Sequence, residues 1–363
     1  MRCGTGNTHV SHRPEPLPSG DRGSAPGPGS YAPPVAAAAY PPFVHGDLEV
    51  LRVLLHRRDA GSEPGRRRDP HRVALVIGGG GMRGSYVAGM LRAVERAGLA
   101  PSFDEVYGAS SGSFTAAAFL TGDAAACAAC YTDDLCTETF ISMRRLGTRR
   151  PVVALEHLVR VLETVKPMNW AALGGTGDRL HVVATDVADL SADTLTGMRS
   201  VADWKRALRA SATIPLLAGP PVEWAGRYWV DGSVAEPLAL ARALRGGATH
   251  VLAVLCRGTD DLHPDPDAGL SLWARALDRL VPGLGTVAQG SRRYGADLRL
   301  ITDAAHPDRG PRHLAAIGPA RSVGVGGLTV AADAVAAAVE VGDESAAAAL
   351  DAVASSTGQA PSR

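Results

Sequence analysis

The amino-acid sequence predicts an α/β protein of three layers, a mainly parallel central sheet with helices on both faces. Three observations lead there. From His71 onward, short apolar runs of strand length alternate with longer segments of helical spacing. Runs such as "VALVI" carry no polar position, as strands covered on both faces do. Two glycine clusters, Gly79–Gly84 and Gly108–Gly112, stand where a strand gives way to a helix. Apolar residues make up 45% of the chain, enough for the core such an architecture needs.

The elements follow in order. Residues 1–44 hold nine prolines and six glycines, a composition that buries too little to fold. The whole stretch 1–70 is therefore expected to be largely disordered and dispensable for catalysis. Within it, "GDLEVLRVLLHRR" at 46–58 has the spacing of one short amphipathic helix, expected to dock on the core. "GSEPGRRRDP" reads as a linker whose three arginines form a solvated patch. "RVALVIGG" is the first core strand, and "GSYVAGMLRAVERAG" is a helix stopped by Gly98. "FDEVYGAS" and "GSFTAAAFLTG" repeat the strand and helix. "LHVVATDV" and "THVLAVLC" are further core strands. "SVADWKRALRASATIP" is a helix that Pro215 cannot continue. This divides the chain into a main core over 73–248, further strands and helices of the same domain over 249–325, and an alanine-rich helical region and tail over 326–363.

Composition excludes some functions. The 37 basic and 37 acidic side chains cancel, so net charge gives no argument for nucleic acid or an anionic surface as partner. No run reaches the roughly 18 apolar residues needed to cross a bilayer. The N-terminus shows no apolar signal-peptide core, and a cytoplasmic location is expected, with transient contact at membranes. Cys127, Cys130 and Cys136 lie close together, but there is no second C-x-x-C pair and no nearby histidine. No metal site is expected.

Gly79-Gly80-Gly81-Met82-Arg83-Gly84 fits G-x-G-x-x-G between a strand and a helix, which in a dinucleotide site holds a pyrophosphate. The acidic residues at the right distance, Asp104 and Glu105, fall at the start of the second strand, the wrong edge of the sheet for a ribose. The end of that strand carries Gly108-Ala109-Ser110-Ser111-Gly112, the G-x-S-x-G of a nucleophile elbow. If the two strands are adjacent and parallel, the Gly79–Gly81 loop lies beside Ser110, and its N–H groups can meet an oxyanion. A serine needs a base. "RYWVDGSVAEP" places Asp231 at a strand end, where the Asp-Gly pair is also an ordinary turn signal. The aromatics before it, Trp224, Tyr228 and Trp229, read as a pocket wall or as a hairpin's own packing, and His250 as a core residue of its strand.

Together these residues resemble the patatin-like phospholipase family. G-G-G-x-R-G appears as Gly79 to Gly84 and G-x-S-x-G as Gly108 to Gly112. "ASATIP" at 210–215 is similar to a family helix end, and the D-G-[GA] motif appears as Asp231-Gly232-Ser233. The likeness runs from about Val73 to Ala248. It implies a patatin-like fold and a histidine-free dyad, with Ser110 as nucleophile and Asp231 as base. It also implies an oxyanion hole at Gly79, Gly80 and Gly81, with Arg83 at the family's basic position and no cofactor. The implied activity is hydrolysis of acyl esters of phospholipids or related lipids. The departure is Ser233 where the family has Gly or Ala; its hydroxyl either crowds the dyad or adds a hydrogen bond that tunes Asp231. Two further readings stay open: a Ser-His-Asp esterase drawing on His250, His263, His306 or His313, and a catalytically silent lipid- or protein-binding module.

Overall fold

The strand formed by Val73–Ile77 shows how the sheet is covered, because every position in it is buried. Val73, Leu75 and Ile77 face one helical layer, and the smaller Ala74 and Val76 face the other. The strand belongs to a computed structural model that describes Met1 and residues 41–176, 179–258, 272–288, 291–304 and 312–356.

Nine strands form one sheet: β1 (Val44–Gly46), β2 (Val73–Ile77), β3 (Glu105–Ala109), β4 (Leu180–Asp186), β5 (Ala192–Leu195), β6 (Val222–Trp224), β7 (Arg227–Asp231), β8 (His250–Val254) and β9 (His313–Ile317). Their order is β1-β9-β8-β2-β3-β4-β7-β6, with β5 paired to β4. The five central strands, β9 to β4, are mutually parallel. The outer ones join antiparallel, so the sheet is mixed at its edges and parallel where the glycine turns leave it.

On the larger face lie helices α1 (Glu49–Asp59), α2 (Gly84–Arg96), α3 (Ser111–Thr121) and α4 (Ala124–Asp133), with the C-terminal helix Ala332–Ser356. Helices Leu240–Arg245 and Ser291–Asp303 cover the other, which completes the α/β/α arrangement. α2 and the C-terminal helix touch backbone to backbone. A Cβ on Gly89 would sit 1.9 Å from the Val339 carbonyl oxygen, and one on Gly342 1.9 Å from that of Tyr86.

The helix expected within the first 70 residues is α1, and it docks through Val50, Leu51 and Leu54, all fully buried. Arg57 at its end is also fully buried. It pairs with Asp69 at 2.7 Å and Asp104 at 2.8 Å, and donates to the carbonyls of Ser102 and His71. The linker arginines divide: Arg66 and Arg68 are exposed, whereas Arg67 is drawn in to Asp104 at 2.7 Å and to the Ser62 carbonyl at 2.6 Å. The reason is the half-buried Asp104, which caps the Val73 N–H at 2.8 Å and needs cations around it. No helix among the described residues is long and apolar enough to cross a membrane.

Candidate active site

Register decides what meets at the carboxyl end of the sheet. β2 and β3 run parallel with Ile77 opposite Gly108, so the two glycine turns leave side by side. β8 lies on the other side of β2, so the strand order reverses here, where open α/β sheets form a crevice. The turns are packed too closely for side chains. A Cβ on Gly79 would lie 2.5 Å from Ser110 Cβ, one on Gly108 2.6 Å from the Gly112 carbonyl oxygen, and one on Gly112 2.7 Å from that of Ile77.

Ser110 stands between β3 and α3 with φ of 56° and ψ of −132°, a conformation that costs a non-glycine residue about 1–3 kcal/mol. Neighbours hold it there. Its N–H donates to both the carbonyl and the hydroxyl of Ser211 at 3.1 Å, and its carbonyl accepts from the Ser113 hydroxyl at 2.7 Å. The Ser211 hydroxyl donates in turn to the Val183 carbonyl of β4 at 2.6 Å. Two residues on, the Thr213 carbonyl accepts the Asp231 N–H at 2.8 Å. The end of the helix Val201–Ala212 thus ties the Ser110 turn to the Asp231 strand. The "ASATIP" likeness marked this segment, but only the structure gives Ser211 its task.

Asp231 is the last residue of β7, pairs with Ala184 across β4, and is fully buried. Its Oδ2 accepts the Ser110 hydroxyl at 2.5 Å, with no residue between them. Its Oδ1 accepts the N–H of Ser233 at 2.8 Å and the Ser233 hydroxyl at 2.6 Å. The departure at Ser233 therefore adds a hydrogen bond rather than crowding the pair. Burial raises the Asp231 pKa above the ordinary aspartate value, and the bonds from Ser110 and Ser233 oppose that rise. Gly232 is needed because a Cβ there would meet the Val183 carbonyl oxygen at 2.1 Å.

The Gly79–Gly81 loop is pinned from three sides. The Cys256 thiol donates to the Gly79 carbonyl at 3.3 Å, Gly80 N–H donates to the Ser111 hydroxyl at 3.1 Å, and the Gly327 carbonyl accepts Met82 N–H at 3.0 Å. Gly81 has φ of 58° and Gly327 packed against it. Gly80 N–H is thus engaged, while among the described residues the N–H groups of Gly79 and Gly81 donate to no protein acceptor. Gly84 begins α2, where the Tyr131 hydroxyl takes the place of a side chain.

These groups open on a cavity of about 550 Å³. Away from Ser110 and Asp231 its wall is mostly apolar and includes Phe114, Phe140, Ile141, Leu158, Leu162 and Leu217. Its charged lining residues are Asp231, Arg83 and Arg257. Cys127 and Cys130 are buried on α4 and line it as packing groups, with burial pushing the Cys127 thiol up to about 12.

Other residues singled out from the sequence lie elsewhere. Asp104 and Glu105 sit at the amino end of β3, engaged by Arg57, Arg67 and Arg72. Trp224 and Trp229 belong to the β6–β7 hairpin, with Trp229 Nε1 donating to the Trp224 carbonyl at 3.1 Å. His250 begins β8 at the amino edge of the sheet, its ring stacked on His313 with centroids 4.5 Å apart and meeting His71 edge-on at 4.4 Å. Burial holds the His250 pKa down at about 4. His263 and His306 lie outside the described residues.

Residues 75–244 match the family model for patatin-like phospholipase. The chain is similar to the uncharacterized protein YjjU of Escherichia coli (strain K12), 26% identical over 188 residues, which are 51% of this chain and 52% of that protein. It therefore spans about half the length of the curated relative it matches. Among solved structures it is similar to VipD from Legionella pneumophila, with 14% identity and a TM-score of 0.43 over 78% of this chain and 67% of that one.

Proposed function

We propose, taking residues 75–244 as a member of the patatin-like phospholipase family whose model they match, that this protein is a serine lipid acyl hydrolase. The observation that carries the reading is the 2.5 Å hydrogen bond from Ser110 to the buried Asp231, both on the wall of a largely apolar cavity. Ser110 Oγ attacks the acyl carbonyl carbon while its proton passes to Asp231. The oxygen that becomes negative is met by the N–H groups of Gly79 and Gly81 and by the amino end of α3. Asp231 returns the proton to the leaving alcohol, which departs and leaves an acyl-Ser110 ester. A water that gives its proton to Asp231 then attacks the ester carbonyl, and Asp231 passes that proton to the Ser110 oxygen as its bond to the fatty acid breaks. The raised pKa of Asp231 makes it a better proton acceptor than an exposed carboxylate.

The substrate in this reading is an acyl ester of a phospholipid or related lipid, its chain lying along Phe114, Phe140 and Leu162. Such substrates reside in membranes, so the protein meets a lipid surface transiently, from the cytoplasm. The test is hydrolysis of a panel of phospholipids, lysophospholipids and acylglycerols, with Ser110→Ala as control and fluorophosphonate labelling of Ser110 alongside. Folded protein that neither labels nor turns over would make the chain a silent binding module. Activity that survives Asp231→Asn but not a histidine change would make it a Ser-His-Asp esterase.

A further inference from the structure

The wall of the cavity is interrupted by a loop that carries charge and apolar surface together. Ile141 and Val153 both line the cavity and face each other as an antiparallel bridge, and Ser142 N–H donates to the Val152 carbonyl at 3.0 Å. The chain between them projects outward. Met143 is 53% exposed and Leu146 57%, with Arg144, Arg149 and Arg150 exposed around them. Residues 141–153 contain four arginines and no acidic residue.

The fourth arginine holds the loop in shape: Arg145 donates to the carbonyls of Glu138 and Thr139 at 2.5 and 3.2 Å. The other three point at solvent. Arg144 has one acidic neighbour, Glu138 at 3.6 Å, and their side chains are 85% and 67% exposed, a pairing worth little. Arg149 and Arg150 form no ion pair among the described residues. One more exposed apolar side chain, Leu216, stands at the same rim, where the next residue, Leu217, accepts Val153 N–H at 2.8 Å.

Large apolar side chains in water beside cations with little or no ion pairing, on a loop whose two ends line an apolar cavity, fit one kind of surface. We propose that the loop 142–151 seats this protein on an anionic phospholipid bilayer. Met143 and Leu146 enter among the acyl chains, and Arg144, Arg149 and Arg150 bind headgroup phosphates. The loop's two ends form cavity wall, so docking sets that wall close to the membrane. This deepens the lipid hydrolase reading and rests on it for its purpose, but the docking itself is independent of turnover.

The test uses the full chain with Ser110→Ala, so that no lipid is consumed. Binding is measured by sedimentation with vesicles of phosphatidylcholine alone and of phosphatidylcholine mixed with phosphatidylglycerol. Strong binding to the mixed vesicles, weakened by salt, is expected. An anionic surface adds about fivefold in partition per arginine, so Arg144→Gln, Arg149→Gln and Arg150→Gln together should lose about 100-fold. On a wild-type Ser110 background the same three changes should leave hydrolysis of a soluble short-chain ester within about twofold, which also reports folding. Met143→Ser with Leu146→Ser should leave only the salt-sensitive part. Equal binding to both vesicle types, undiminished binding by the triple variant, or salt-independent binding by the parent overturns the proposal. So does retention on an acidic protein or DNA without retention on vesicles. Failure of soluble-ester hydrolysis in the wild type would sink the hydrolase reading and leave the vesicle result to stand on its own.

Discussion

Changing Ser233 to alanine perturbs the proposed base, Asp231, and leaves Ser110 and Asp231 themselves in place. Asp231 accepts three hydrogen bonds, one from Ser110 and two from Ser233. The change deletes the 2.6 Å bond from the Ser233 hydroxyl and keeps the 2.8 Å bond from its N–H. A hydrogen bond to an ionised group contributes about 1.5–3 kcal/mol, and 1.36 kcal/mol corresponds to one pH unit. That bond stabilises only the carboxylate, so its loss pushes the Asp231 pKa further in the direction burial already drives it. In the proposed mechanism Asp231 acts as a base when ionised. The acid limb of kcat/KM should therefore move up by about one to two pH units, with turnover about ten- to a hundredfold lower below the limb and near wild type well above it. Stability should follow the same sign. A carboxyl whose folded pKa lies above its unfolded value favours the native state while protonated, and that advantage is lost as pH rises through the folded pKa. The variant should then match wild type in acid and melt at lower temperature in alkali. The assay is kcat/KM on a soluble ester across pH, with thermal unfolding at the two extremes. A folded variant whose limb does not move, or whose loss is the same at every pH, would refute the assignment of Asp231 as base and leave Ser233 a packing residue.

Other outcomes follow from the same geometry. Asp231→Asn should lose as much turnover as Ser110→Ala, and the double change little more, since the two act as one unit; the protein should stay folded, because an amide oxygen can still accept from Ser233. Gly79→Ala should lower kcat by about 100-fold or more, since a Cβ 2.5 Å from that of Ser110 must displace the turn and misalign its donors; a fully active variant would remove the loop from the chemistry. Deleting residues 1–59 should abolish folding, read by circular dichroism, because α1 is core, and Arg57→Ala should cost about 3–5 kcal/mol by leaving Asp69 and Asp104 without their shared cation. The hydrogen bond from Arg57 holds the Asp69 carboxyl at about 2, so stability it adds above the usual aspartate range is lost as pH falls toward 2, and the variant should lack that acid sensitivity. His250→Gln and His313→Gln should each leave most activity, measured on the same ester.

Much of the fold could be read from the chain because β2 is a continuous apolar run, and β3, β4 and β8 are mostly apolar, with their charged or polar positions near the strand ends. The site was legible because backbone crowding admits only glycine at 79, 108, 112 and 232, which leaves a pattern in the letters. What the letters hid is set by tertiary neighbours. Arg57 and Arg66 to Arg68 look alike as charges, yet only Arg57 and Arg67 are drawn inward, by Asp104 and Asp69 from other parts of the chain. The loop 142–151 is strongly basic, but a chain-wide balance of 37 against 37 averages that away. β1 has three residues and β9 is "HLAAI", too short and too small-residued to announce sheet edges. The expected dispensability of the first 70 residues rests on proline and glycine content, which describes residues 1–44 and not the apolar helix after them.

The glycine contact between α2 and the C-terminal helix bears on how the protein comes into being. α2 begins at Gly84, directly after the loop beside Ser110, and its outer face is closed by residues near Val339 and Gly342. A ribosome has therefore released both Ser110 and Asp231 long before it makes the helix that α2 leans on. At about 5–20 residues per second, the interval from Asp231 to the end of that helix is roughly 6–25 s. During it the nascent chain carries every reacting group but not the packing that sets the glycine turn. In the proposed reading, the hydrolase gains its working site only after residues 332–356 have been made and have packed on α2, although both reacting side chains were encoded much earlier.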